Sequence, residues 1–257
     1  MSELNRPSVL VTGGARRLGA SIAKAFGQAG WHVVIHYRRS AEAAERLARE
    51  LPSAETIACD LADGDAAVAM AEHLAARLDD WRCLINSASL FERDDATALD
   101  PATNLRALQV NAVAPARLAQ AYLATARAKG GRHVIQVTDQ KLVNPNPDFF
   151  SYSMSKHALA ATIPMLAMGA AGKDDRVYGL APGAILPSHD QSEAETEISH
   201  RLNLLRRKTA PQEVAEAALF LAGGHLESGQ TLFVDSGQHL LRQERDVIYL
   251  AREAITA

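Results

Sequence analysis

Strand-like and helix-like segments alternate along this chain from end to end, and that alternation limits its fold more than any other feature. Ser8-Val9-Leu10-Val11 is a short apolar, β-branched run that stops at Thr12-Gly13-Gly14, the pattern of a buried strand entering a glycine turn. Residues 18–28 have helical spacing, with Ile22, Ala23 and Phe26 on one side and Gly30 behind them. The same reading predicts strands at 31–37, 55–59, 81–85, 133–137, 176–180 and 231–234. It predicts helices at 41–51, 65–78, 101–128, around Tyr152, and at 211–221. Such strands bury both faces only as a parallel sheet covered by helices on each side. The expected fold is therefore α/β, a doubly wound parallel sheet of seven strands of the Rossmann type. It forms one domain over 1–257, with no linker and no internal repeat.

Composition narrows the function classes. Apolar residues make up 47% and charged residues 22%, ordinary values for a globular domain, and the net charge is −3. That balance argues against a nucleic-acid or anionic-membrane binder. The N-terminal segment is polar and short and there is no long apolar run, so the chain is expected in the cytoplasm. Cys59 and Cys83 have no CxxC partner and read as free buried thiols. His36, His133 and His157 have no second ligand at metal spacing and read as packing or surface residues; no metal site is expected.

In such sheets ligands bind beyond the carboxyl ends of the strands. Those ends are 12–19, 37–40, 60–61, 86–91, 138–139 and 182–183. Gly13, Gly14 and Gly19 can open a helix N-terminus to a pyrophosphate, although strict GxGxxG spacing is absent. About 20 positions on, where an NAD site carries an acid, the chain reads Tyr37-Arg38-Arg39-Ser40. Two guanidiniums and a hydroxyl suit a 2′-phosphate, with Arg17 able to reach the same side, so NADPH is the expected cofactor. Ser40 also suits the N-cap of the next helix. Tyr152 and Lys156 stand four apart, on one helix face. A neighbouring ammonium is expected to lower the phenol's pKa and fit it for proton transfer.

Taken together these residues resemble the short-chain dehydrogenase/reductase family over essentially the whole chain. The turn Thr12–Gly19 resembles the family's TGxxxGxG, with Arg17 at the middle glycine. Asp60-Leu61 resembles the pair beside the adenine, and Asn86-Ser87-Ala88-Ser89 the Asn-Asn-Ala-Gly after the fourth strand. Asn111 matches the helix asparagine that relays protons through water. Tyr152 and Lys156 match the acid/base pair, and Pro182-Gly183, followed by Ile185, the turn beside the nicotinamide. The resemblance implies that Gly13, Arg17, Leu18, Gly19, Tyr37 to Ser40, Asp60, Leu61, Asn86 to Ala88, Lys156, Pro182, Gly183 and Ile185 bind the cofactor. It also implies a homotetramer.

The departures resemble the pteridine reductase branch of that family. They are Arg17, the His36–Ser40 segment, Phe91 after Asn-Ser-Ala-Ser, Asp139 in place of serine, and the segments 209–211 and 235–240. The branch implies a pterin site of Arg17, Ser89, Phe91, Asp139 and Tyr152, with Phe91 stacking on the ring. Tyr152 would donate a proton to a ring nitrogen, Lys156 would bind the nicotinamide ribose, and Asn111 would hold the relay water. Asp139 could hold Tyr152 or bind the pterin, or serve only as a turn or N-cap carboxylate. The alternative for Phe91 is a core aromatic. The activity implied is NADPH-dependent reduction of a dihydropterin, such as dihydromonapterin, or of dihydrofolate. A general carbonyl or 3-oxoacyl reductase and a non-catalytic NADP(H) sensor stand as alternatives. The polar segment 188–208 reads as a mobile substrate flap. The tail 242–257, apolar at Val247, Ile248, Leu250 and Ala251, reads as a helix for docking on a partner subunit.

Overall fold

The structure, a computed structural model, describes residues 6–170, 172–188 and 190–256. Its first half alternates β1 (Ser8–Thr12), α1 (Arg17–Gln28), β2 (His32–Tyr37), α2 (Ala41–Glu50), β3 (Ala54–Ala58), α3 (Gly64–Arg77) and β4 (Trp81–Asn86). The second half follows with α4 (Pro101–Leu108), α5 (Ala114–Thr125), β5 (His133–Val137), α6 (Phe150–Gly169) and β6 (Arg176–Pro182). It ends with α7 (Glu193–Ser199), α8 (Pro211–Ala222), β7 (Thr231–Val234) and α9 (Val247–Thr256). The strands form one seven-stranded sheet in the order β3-β2-β1-β4-β5-β6-β7, and every pairing is parallel. The chain winds outward from β1 in one direction and from β4 in the other. The rim above β1 and β4 is thus where the winding reverses and a crevice opens.

Side-chain alternation along the strands divides the core between the two faces of the sheet. Val9, Val11, Ile35, Ile85 and Ile135 pack with Ile22 and Phe26 of α1 and Val214 and Ala218 of α8. Leu10, Val34, Leu84 and Val134 pack on the other face with Leu74 of α3 and Leu118 and Tyr122 of α5. Tyr122 meets Trp81 edge to face, with centroids 4.7 Å apart. The apolar strand runs seen in the sequence are apolar because both faces are covered. Among the described residues no helix is long and apolar enough to cross a membrane.

One expectation needs correction, and the structure adds detail to two others. The helix expected over 101–128 is interrupted by a π-helical turn, Gln109–Val113, between α4 and α5. The wide turn centres on Asn111, and such turns gather at functional sites. The flap segment contains regular structure. It carries α7, opened by a capping box in which Ser192 and Glu195 bond each other's backbone N–H. The tail docks on its own chain, because Arg252 of α9 pairs with Glu195 at 2.8 Å and with Asp190 at 3.1 Å. Val247, Ile248 and Ala251 are buried, Ile248 against Phe149 and Tyr152, while Leu250 stays partly exposed. Residue 189 of the flap and residue 257 of the tail lie outside the described residues.

Truncating a fully buried strand residue tests the two-faced core. Leu84→Ala is expected to lower the unfolding free energy by about 2–5 kcal/mol in urea titrations, leaving the slope unchanged.

Candidate active site

The glycine turn is shaped by close approach. Gly13 has φ +64°, and a Cβ on it would stand 2.9 Å from Ala88 Cα; one on Gly19 would stand 2.3 Å from Gly13 O. No side chain larger than hydrogen fits at either place. Helix α1 begins here with no side-chain cap and no acid in its first turn. Its first N–H groups are therefore open to an anion. The family's middle glycine is Arg17, and it takes φ 53°, a left-handed conformation rare outside glycine. That strain costs on the order of 1 kcal/mol. It brings the guanidinium to donate to Pro187 O at 2.8 Å, so Arg17 spans from the turn to the start of the flap.

His36 secures the turn from beneath. Gly13 N–H donates to its Nδ1 at 3.0 Å, and its Nε2 lies 3.0 Å from Cys59 O. An accepting Nδ1 leaves Nε2 as the donor to that carbonyl, which defines a neutral ring in one tautomer. Burial holds its pKa down at about 4. Thr12 works in parallel: its Oγ1 accepts from Ser87 N–H at 3.0 Å and Ala88 N–H at 3.1 Å, tying the turn to the loop after β4.

A cleft of about 660 Å³ runs over this rim. Gly13, Arg17, Leu18, Gly19, Arg38, Asp60, Leu61, Ser87, Ala88, Ser89, Phe91, Asp139, Tyr152, Lys156, Pro182, Gly183 and Ile185 all line it. Tyr37, Arg39, Ser40, Asn86 and Asn111 do not. Ser40 stands at the N-cap of α2, but its side chain makes no capping bond. Asn86 is buried below the cleft, donating to Gln136 Oε1 at 2.9 Å and Pro115 O at 3.2 Å. Asn111 is fully buried. It accepts from Leu90 N–H at 2.7 Å and donates to Leu90 O at 2.9 Å and to Ser155 Oγ at 3.0 Å. Its amide thus stitches the loop after β4 to α6, and both ends of it are occupied by protein.

Helix α6 carries the Tyr–Lys pair. It opens at Phe149, which also takes a left-handed φ of 54°. Asp94 anchors this end by accepting from Ser151 N–H at 3.0 Å. Phe149 stacks on Phe91, with centroids 4.1 Å apart, and Phe91 meets Tyr152 edge-on at 4.7 Å. Phe91 is therefore part of an aromatic cluster and of the cleft wall at once. Tyr152 Oη donates to Asp139 Oδ2 at 2.7 Å. The other oxygen of Asp139 accepts from Lys141 N–H at 2.8 Å, so this carboxylate both caps a short 3-10 turn and engages the phenol. Lys156 Nζ donates to Val137 O at 2.8 Å and retains two further donors.

The electrostatics differ from the sequence expectation in one respect. Burial, and next the Asp139 carboxylate, push the Tyr152 phenol well above its ordinary range. The lysine does not make it acidic, because the phenol's direct partner is an anion. Lys156 is itself brought down to about 8 by burial. Burial also raises Asp139, against which Lys141 acts. Lys141 and Asp246 line the cleft without having been singled out from the sequence, and Val247, Ile248 and Gln238, noted there for the tail and for the 235–240 segment, line it too. Of the first two, only Lys141 carried a signal, two positions after Asp139.

An open helix N-terminus above a reversal in strand order, with a Tyr–Lys pair in the same cleft, defines a dinucleotide-dependent oxidoreductase. A family model described as enoyl-(acyl carrier protein) reductase matches residues 13–239, and the chain belongs to the short-chain dehydrogenase/reductase family. It is an NAD(P)-dependent reductase of that family. The chain is 30% identical to pteridine reductase 1 of Leishmania tarentolae, over 92% of this chain and 97% of that one. The structure is similar to an alternative dihydrofolate reductase 1, FolM, of Brucella suis in complex with NADP. The TM-score is 0.86 and the identity 32%, covering 94% of this chain and 98% of that one. The chain is also 29% identical to 7alpha-hydroxysteroid dehydrogenase of Escherichia coli K12, over 91% and 94% of the two chains.

His36 yields a pH test. Its folded pKa of about 4 lies below the ordinary 6.5, so between those values the unfolded chain takes up a proton that the folded one refuses. The stability involved is complete above pH 6.5 and is lost as pH falls toward 4. Urea unfolding at pH 7 and pH 4.5 is expected to show a loss about 2 kcal/mol larger in wild type than in His36→Gln. Equal losses would show that His36 is not held neutral.

Proposed function

We propose that this protein uses NADPH to reduce a dihydropterin, or dihydrofolate, to the tetrahydro form. The observation that carries this reading is Asp139 within hydrogen-bonding distance of Tyr152 in the cleft, 2.7 Å from Oδ2 to Oη. A ketone reductase needs a donor to one carbonyl oxygen. A pterin presents N–H groups beside ring acceptors, and a carboxylate next to a phenol in the cleft wall matches that edge. The similarity to pteridine reductase 1 and to the FolM reductases supports the same substrate class.

The residues present fit the cofactor. Gly13 and Gly19 leave room at the helix N-terminus, and Arg38, half exposed in the cleft, offers a guanidinium to a 2′-phosphate with no acid at the end of β2. When bound, NADPH supplies the hydride. Tyr152 delivers the proton to a ring nitrogen. Its raised pKa keeps it protonated until the substrate is seated, and the two free donors of Lys156 serve the ribose. Asn111 acts through the loop and helix it joins. Phe91 forms an aromatic wall for the flat substrate. Residues 188–208 cover the substrate, within one reductase domain spanning the chain. Exposed Leu105, Val113, Met165 and Met168 fit burial between copies in a homotetramer, and the protein works in the cytoplasm.

Initial rates across a panel of dihydropterins, dihydrofolate, 3-oxoacyl thioesters and ketosteroids test the reading. The expected result is pterin turnover with NADPH, and kcat lower by at least about 100-fold in Tyr152→Phe. Turnover confined to ketones would replace this reading by a carbonyl reductase, and NADPH binding without any turnover by a sensor. Arg38→Gln is expected to raise the KM for NADPH by about tenfold or more while that for NADH is unchanged.

A further inference from the structure

The cleft contains a charged pair that the proposed chemistry leaves without a task. Lys141 lies on the short turn that Asp139 caps, and Asp246 immediately precedes α9. Both line the cleft, yet their side chains are only 6% and 7% exposed. Nζ stands 2.5 Å from Asp246 Oδ2, a close ion pair. One of the three ammonium donors is engaged by that carboxylate, which leaves two for other partners. A buried ion pair is weak as a source of stability. What it faces is more telling.

Lys141 adjoins the proton-handling groups on one side and the aromatic wall on the other. Its backbone N–H holds Asp139 Oδ1, and its ammonium lies 5.2 Å from the centre of the Phe149 ring, which stacks on Phe91. Its charge opposes the burial that raises Asp139, ahead of the charge of Lys156. The other charged and titratable groups around the pair are Tyr152 and Lys156 of α6, Asp148 with Arg245, and Asp235 with His239. Asp148 accepts from Asp246 N–H at 2.7 Å and from Arg245 Nε at 2.9 Å, which fixes the segment carrying Asp246. His239 Nδ1 is paired with Asp235 at 2.8 Å, on a turn packed against 140–142.

We infer that Lys141 and Asp246 are positioning residues: the ammonium holds Asp139 as a carboxylate toward the substrate, Asp246 holds the ammonium, and the C-terminal segment thereby completes the active centre. The consequence for turnover rests on the reductase reading above. The charge state of Asp139 is measurable without turnover.

The test is a 13Cγ-aspartate NMR titration of the full chain, with the Asp139 signal assigned through Asp139→Asn. Lys141→Met is expected to raise the Asp139 midpoint by about one pH unit, a tenfold change in its carboxylate-to-acid ratio. Lys141→Arg is expected to restore it. Asp246→Asn, which frees the ammonium from its place, is expected to reduce the difference that Lys141→Met makes to the midpoint. The acid limb of kcat/KM should follow in each case, with the Kd for NADPH unchanged. An unmoved midpoint in a Lys141→Met protein of wild-type Tm would overturn the inference and leave the substrate reading intact. Shifted midpoints without pterin turnover would sink the substrate reading and leave the inference standing. Should Lys141→Met not fold, Lys141→Gln is read in the same way.

Discussion

The site depends on one hydrogen bond, from the phenol of Tyr152 to the carboxylate of Asp139, made in the wall of the cleft. In water such a bond would contribute little. In a buried setting both partners are shifted in the same direction, the phenol because an anion faces it and both groups because burial penalises their charged forms. A phenol held this way keeps its proton. Serine at position 139 could not impose that condition, since it carries no charge.

The bond exists because the sheet places its two partners. Asp139 follows β5 and Tyr152 enters α6, which returns across the sheet toward β6. A parallel sheet brings both to its carboxyl rim, beside the opening above β1 and β4 where α1 presents its free N–H groups. The supports are mostly backbone to side chain: His36 under Gly13, Thr12 under Ser87 and Ala88, Asn111 under Leu90, Asp94 under Ser151. Each satisfies a buried polar group and fixes a loop at the same time. The left-handed backbones of Arg17 and Phe149 are strained positions that this packing holds in place.

Much of this could be read from the residues. Strand positions followed from apolar β-branched runs, because burial on both faces leaves little else. The cleft residues followed from their places at strand ends, and Asp139, Tyr152 and Lys156 meet there as expected. Other features had no local signature. A π-helical turn at Asn111 looks like continuous helix, since its apolar spacing barely changes. The acidifying effect expected of Lys156 failed because distance to Asp139 outweighs helical spacing, and that distance is a tertiary fact. Asp246 is separated by roughly a hundred residues from Lys141, and its α9 helix reads as an amphipathic tail that any surface might cover. Only folding shows that its own chain covers it.

The central claim is that a pterin sits against Tyr152 and Asp139 at the rim while the dinucleotide lies over the glycine turn. A crystal structure of the ternary complex with NADP and a dihydropterin tests it most directly. The account expects a ring nitrogen within hydrogen-bonding distance of Tyr152 Oη and ring N–H groups on the Asp139 carboxylate. A pterin bound elsewhere, or one in the cleft with Asp139 left bonded to protein alone, would contradict it.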